Sequence, residues 1–313
     1  MRKRVAKWMA AALVGMGAVA LAQFDGGGGF GPQPGGLGGG GFGGGGGGFR
    51  GGGGRRGGGF RQPQATDLSD RHGVGEWPVD AHFKNDLFTF CRIEYQNRED
   101  LGGRRYYQDS WLTDFPDSDL NFSFRLQQLT SLKVNPDPVR IRLTDEKLFD
   151  YPFIYMLEVA NLEFTDEEIP ILRKYLLNGG FLMVDDFWGV AAWESFHDQM
   201  KRVFPDREPV DLDLSHPIFH CVFDLKEKPQ VPGIDFAVRH KDPLIQYERP
   251  DAKGAHYRAY YDDKGRIMAL ICQNTDLGDG WEREGEDEWY FHEYSEKRGY
   301  PMGVNIVFYA MTH

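Results

Sequence analysis

Residues 165–197, TDEEIPILRKYLLNGGFLMVDDFWGVAAWESFH, constrain the fold more than any other stretch, because helix, tight turn, buried strand and second helix follow one another without a break. Ile169, Leu172, Leu176 and Leu177 form an apolar stripe at helical spacing, and Thr165 with Glu168 three residues on predicts a capping box at its start. Pro170 is expected to distort the first turn. Asn178, Gly179 and Gly180 tolerate left-handed backbone and so end the helix. Residues 181–184 are then a short all-apolar run of the kind buried on both faces of a parallel sheet. Asp185 and Asp186 fall at the carboxyl end of that strand. In open α/β sheets this edge is where ligands bind.

The flanking chain repeats the pattern. Residues 87–93, LFTFCRI, are rich in aromatic and β-favouring types and predict a first strand, with Arg92 and Tyr95 at its carboxyl end. A helix is expected after the next loop, capped by Ser118 or Asp119 and burying Phe122, Leu126 and Leu129. Residues 138–143 and 153–157 predict a second and a third strand. A helix over 191–204 buries Trp193, Phe196, Met200 and Val203 and is stopped by Pro205. Residues 257–261 and 266–272 flank the turn Asp262-Asp263-Lys264-Gly265 as a hairpin. Residues 273–281 read as a polar loop, and residues 300–313 as a closing helix with Pro301 in its first turn. Successive α/β steps argue for a doubly wound, mostly parallel sheet.

The first fifth of the 313-residue chain does not share this pattern. Residues 1–22 carry Arg2, Lys3, Arg4 and Lys7, an apolar run from Trp8 to Leu21, and Ala20-Leu21-Ala22 ahead of Gln23. This is the arrangement of a secretory signal peptide, and the run is shorter than the roughly 20 residues that span a bilayer. Export to the periplasm or the cell exterior is therefore expected, with no stable transmembrane span after cleavage. Residues 23–76 are Gly-rich with scattered Phe, Arg and Pro, a composition that cannot bury a core and predicts a disordered tether. That leaves residues 77–313 for a single α/β domain.

The formal net charge is −11; the leader's four basic residues and a net +3 over residues 23–65 leave −18 on the remainder. So acidic a domain does not attract a phosphate backbone, and no nucleic-acid partner is expected. The phrase Phe49-Arg50-Gly51-Gly52 in the tether resembles RNA-binding segments but is read as linker. Cys91, Cys221 and Cys272 lack CxxC spacing and lie in apolar, strand-like runs, which favours small core residues over a disulfide.

Adjacent carboxylates at a strand end point to opposite sides. Of Asp185 and Asp186, one is expected to cap the following helix and the other to face a cleft, where general acid/base work or a divalent metal is open to it. His216 and His220 stand four apart, a zinc-ligand spacing on a helix, although Pro217 predicts a turn. His216 meeting a carboxylate such as Asp213 is the alternative. Trp111, Asp114, Asp119 and Asn121 form an acidic, aromatic phrase after the first strand, brought by α/β topology to the same edge as Asp185, Arg92, Tyr95 and Trp188. Aromatic faces beside Asp and Asn groups suit a sugar-binding cleft, and equally suit loop building. Asn274, Asp276 and Asp279 make an oxygen-rich loop without the register of an EF-hand. No cofactor is expected beyond a divalent metal at the acid pair or the two histidines.

The phrases WLTDFPDSDLNF, LTDEKLFDYPFIYM, YLLNGGFLMVDDFWG, HPIFH, NTDLGDGWE and GVNIVFYAMTH, in that order over roughly residues 88–313, resemble the bacterial family called domain of unknown function 4159. The resemblance implies an architecture similar to class I glutamine amidotransferase-like and trehalose-utilisation-type proteins. In amidotransferase-like enzymes the turn after the strand matching residues 181–184 presents a Cys nucleophile supported by a His. Here that turn reads Asp185-Asp186-Phe187-Trp188-Gly189, so covalent amidotransferase chemistry is not expected. The same likeness carries Asn274 and Asp276 toward the site. The expected protein is an exported α/β domain with a flavodoxin-like or amidotransferase-like sheet. Its expected function is non-covalent binding or assembly on an envelope protein or glycan. The alternative is a metal-assisted or acid/base hydrolase of carbohydrate or cell-wall material, with Asp186 and His216 as the catalytic pair.

Overall fold

The computed structural model describes residues 68, 70–79, 81–83, 86–98 and 109–313. The expected signal peptide and most of the expected tether lie outside the described residues. Seven strands form one sheet among the described residues: β1 (Cys91–Glu94), β2 (Val139–Arg142), β3 (Phe153–Leu157), β4 (Phe181–Asp185), β5 (Val210–Asp211), β6 (His256–Tyr261) and β7 (Ile267–Gln273). Their order across the sheet is β2-β1-β3-β4-β7-β6-β5. From β2 to β7 every neighbouring pair is parallel, and β6 and β5 are added antiparallel at one edge. The fold is α/β with a mostly parallel sheet, and the expected hairpin pairs Tyr261 with Ile267.

Helices cover both faces: α1 (Asp117–Leu129), α2 (Glu168–Leu177), α3 (Val190–Val203), α4 (Ile234–His240), α5 (Leu277–Glu282) and α6 (Tyr300–Thr312). Side chains alternate across a strand, so one all-apolar run feeds two cores. Phe153, Tyr155, Phe181 and Met183 pack with Phe122 of α1, Trp281 of α5 and Ile306 of α6. Ile154, Met156, Leu182 and Val184 pack on the other face with Leu172 of α2 and Phe196 of α3.

The capping box forms: the Thr165 amide donates to the Glu168 carboxylate at 2.9 Å, and the Glu168 amide donates to Thr165 Oγ1 at 3.2 Å. At the other end of α2 only Gly179 is left-handed, with φ 103°, whereas Asn178 has φ −91°. Gly180 is needed for space instead, since a Cβ there would lie 2.3 Å from the Tyr175 ring. Other expectations are corrected. Helix α1 starts at Asp117 with no side-chain cap, and Ser118 and Asp119 lie inside it, turned toward Arg92. The expected polar loop over residues 273–281 contains α5, because Asp276 caps it by accepting from the Asp279 amide at 2.7 Å. Neither Asp185 nor Asp186 caps α3; its first amide, on Val190, donates to Asp251 at 3.1 Å. A π-helical segment, Phe291–Gly299, runs directly into α6. Trp193 is half-buried, held between the Arg258 guanidinium at 4.0 Å and the stacked ring of His197.

Arg71 donates to Pro136 O at 2.9 Å and pairs with Asp137, and Val74 is buried, so the chain just before Trp77 touches the domain. All three cysteines are free, Cys91 and Cys272 buried and Cys221 half-buried. No helix among the described residues is long and apolar enough to cross a membrane.

Candidate functional site

The adjacent strands β3, β4 and β7 finish at one edge, and each is followed by a non-glycine residue in left-handed backbone: Glu158 (φ 49°), Asp186 (φ 52°) and Asn274 (φ 62°). Asp and Asn tolerate this region better than other side chains. Backbone bonds tie the three ends together. Glu158 N donates to Asp186 O at 3.1 Å, Asp186 N to Thr275 O at 3.1 Å, and Asn274 N to Phe187 O at 2.9 Å. The Asn274 side chain accepts from Gly189 N at 2.9 Å, which pins the turn after β4 to the end of β7. The loop after β1 brings a further left-handed residue, Asp114 (φ 62°), to the same edge.

This frame sends the two adjacent acids to different places. Asp185 is wholly buried; one carboxyl oxygen accepts from Gly278 N at 3.0 Å and Tyr155 OH at 3.4 Å, and the other has no hydrogen-bond partner among the described residues. Asp186 faces a cleft of about 730 Å³, where Trp188 Nε1 donates to it at 3.3 Å. Asp114 and Asp276 complete the cleft floor, and one oxygen from each of Asp114, Asp186 and Asp276 lies within 4.8 Å of the others. Asp114, Asp279 and Glu282 form a second such group. Three clustered carboxylate oxygens are a donor set for a hard divalent cation. Gly278 has to be glycine here, because a Cβ would lie 2.7 Å from Asp114 Oδ2 and 2.9 Å from Tyr155 OH.

Crowding of acids in a buried place raises their proton affinity. Burial, reinforced by the charge of Asp279, pushes Asp114 up to about 7. Burial, with the charge of Asp114 adding to it, outweighs the backbone amides led by Gly278 and pushes Asp185 up to about 8. Asp186 is raised well above the carboxylate range by burial and then by Glu158, and Asp276 by burial and then by Asp186. Glu282 is pushed up to about 10 by burial and Asp114. The floor acids therefore hold their protons to higher pH than free carboxyls do.

Of the residues expected at the site, Asp114, Asp186, Trp188 and Asp276 line the cleft. Asp185 lies outside the lining, and Asn274 shapes the turn. Arg92 is wholly buried, paired with Asp119 and donating to Ser118 Oγ, Trp111 O and Thr113 O, so both charges are consumed in holding the Asp114 loop. Tyr95 is buried and donates to Leu157 O at 2.7 Å, bracing the end of β3. Trp111 is half-buried under the Arg140 guanidinium and does not line the cleft. Asn121 donates to Trp281 O at 2.9 Å and borders a separate pocket of about 290 Å³.

His216 does not join Asp186. It packs against Tyr309, near the end of α6, and meets Tyr261 OH at 3.5 Å. Tyr261 pairs with Ile267 at the start of β7, the edge opposite Asp186. The chain after β5 turns back over the sheet to bury Ile218 and Phe219 in the first core, and His216 goes with them. Its Nδ1 accepts from Ile218 N at 3.2 Å, and its contact with Asp213 is through backbone only. His220 meets Asp224 at 2.7 Å and Leu214 O at 2.6 Å, so the two histidines do not form a zinc pair.

Sequence reasoning missed Glu158, Glu248, Arg239 and Arg249, which also line the cleft. Glu158 carried the same signal as Asp186, an acid directly after a buried strand. The other three stand in residues 234–250, where no hydrophobic period marks an element.

A family model described as Domain of unknown function (DUF4159) matches residues 89–311. No protein of curated function matches the chain.

Proposed function

We propose, from the premise that the chain belongs to the domain of unknown function 4159 family, that it is a non-covalent ligand-binding module working outside the cytoplasm. The observation that carries this reading is the 730 Å³ cleft at the carboxyl edge, in which carboxyls and the Trp188 indole converge and no Cys or His lines the wall among the described residues. Among the described residues the lining offers neither the thiol nor the imidazole that a Cys–His nucleophile pair needs. Carboxyls that accept hydroxyl or ammonium donors, beside an aromatic face, suit a polyhydroxylated ligand such as a glycan. The sheet order β2-β1-β3-β4-β7 supports a flavodoxin-like or amidotransferase-like arrangement, with its elbow at residues 185–189. The basic and then apolar leader supports export.

The test is a thermal-shift screen of the purified protein against a glycan panel. A ligand at about 100 times its Kd stabilises by about 2.7 kcal/mol. Trp188→Ala and Asp186→Asn should each abolish the shift while leaving the ligand-free protein folded; shifts that persist in both variants would place binding elsewhere. A metal-assisted hydrolase is the second reading, favoured by the approach of Asp114, Asp186 and Asp276 within 4.8 Å. A divalent ion held there would supply an activated water. Metal analysis of the purified protein tests it, with Asp276→Asn expected to lower the metal content.

A further inference from the structure

The wall of the cleft is built unlike its floor. Asp186, Trp188 and Asp276 follow strand ends and are buried, whereas Phe236, Arg239, Glu248 and Arg249 come from α4 and the chain after it. Not one residue from Arg239 to Asp251 is buried, and Leu244 is 84 % exposed. Among the described residues, the hydrogen bonds and ion pairs of residues 239–250 stay within residues 233–252. Lys241 N donates to Ala237 O at 2.7 Å, Ile245 N to Asp242 O at 3.0 Å, and Gly233 N to Glu248 Oε1 at 2.7 Å. A segment so short of buried contacts opens at a fraction of the free energy that unfolds the sheet. Its base, by contrast, is fixed. Ile234 and Ala237 pack in the first core, and the buried Gln230 amide donates to Ala252 O at 3.0 Å and to Asn274 O at 2.8 Å, clasping the base to the end of β7.

Beyond that base, one hydrogen bond among the described residues ties the segment to another element. Val190 N, the first amide of α3, donates to Asp251 Oδ2 at 3.1 Å. Helix α3 has no acid in its first turn, and Gly189 has no side chain to cap it, so this carboxylate serves the amide end of the helix from outside. Gly189 also makes room for it, since a Cβ there would lie 2.6 Å from Asp251 Oδ2. The bond thus pins the wall to the same turn that carries Asp186 and Trp188.

Resting on the reading of the cleft as a binding site, and adding how that site is entered, we infer that residues 239–251 are a lid, latched by Asp251 to the start of α3, and that ligand enters when the latch releases. As the lid lifts, Glu248 and Arg249 leave the lining and Trp188 is uncovered, while the Gln230 clasp keeps the base in place. The Asp251 side chain is 44 % exposed and its other oxygen lies 3.6 Å from Arg249 Nε of the same segment, so water competes for the latch.

Hydrogen exchange on the full chain, read by mass spectrometry, tests the lid without any ligand. Amides of residues 239–251 should exchange far faster than those of β3 and β4. Asp251→Ala should speed exchange over residues 239–251 about five-fold, the usual effect of losing a carboxylate cap, and leave the two strands unchanged. Val190→Pro removes the donor instead, at a first helical position that suits proline, and should give the same acceleration with α3 intact. Acrylamide quenching of tryptophan fluorescence should rise in both variants, and the rise should be absent when Trp188→Phe is added. Faster exchange confined to residues 190–193 would make Asp251 a helix cap and overturn the lid. So would a Val190→Pro variant that exchanges like the parent over residues 239–251, or a quenching rise that survives Trp188→Phe. None of these failures touches the binding reading, which falls only if the glycan panel gives no shift.

Discussion

Asp185 is the residue on which burial acts most plainly. Its carboxyl accepts from Gly278 N with one oxygen and, among the described residues, has no hydrogen-bond partner for the other, so the charged form is poorly served where it sits. Burial raises it to about 8, above the value of about 3.9 for an unfolded aspartate. The folded chain thus keeps a proton that the unfolded chain releases. Stability from that proton is fully present below about pH 4 and is lost as the pH rises through about 8. Asp114, raised to about 7, acts in the same sense over a lower range. The melting temperature is expected to fall between about pH 4 and 8 and to level off above that range. Asp185→Asn keeps an acceptor for Gly278 N without a charge, so its profile should be flatter. A variant that loses stability with pH in parallel with the parent would mean that Asp185 is not the source. Arg92 shows the opposite solution, a buried charge kept ionised by a buried partner, Asp119, and by two backbone carbonyls.

Among the elements, α6 depends on one small residue where it crosses α1 and α5. A Cβ at Gly303 would stand 2.5 Å from Phe122 Cε2 and 2.6 Å from Trp281 Cζ2. Helix propensity favours alanine over glycine by about 1 kcal/mol, while overpacking a tight core contact costs about 1–3 kcal/mol. Both contacts are with buried rings that pack on each other, with centroids 4.4 Å apart, so neither has room to move aside. Gly303→Ala is therefore expected to lower stability by up to about 2 kcal/mol in urea unfolding, and a gain would show that the rings can shift. The capping box of α2 is the contrasting case. Thr165 and Glu168 announce it in sequence because their partners are three residues apart, whereas nothing local ties Gly303 to Phe122 or Trp281.

Over the whole molecule, the sheet separates chemistry by edge. The carboxyl edge carries the acids, the left-handed turns and the cleft; His216 sits toward the other edge among Tyr261 and Tyr309. His216→Ala should thus leave binding in the cleft unchanged in calorimetry, at a modest cost in stability. A large loss of affinity would tie the two edges together. Apolar period and turn residues were enough to determine the parallel strands, the β6–β7 hairpin, α2, α3 and the arrival of Asp185 and Asp186 at a strand end, because each rests on residues close in the chain. Which acid enters the cleft, the pairing of Arg92 with Asp119, and the distance of His216 from Asp186 were decided by the tertiary structure alone. These depend on where strands far apart in sequence end and on which side chains the two cores claim first, and neither leaves a local period to read.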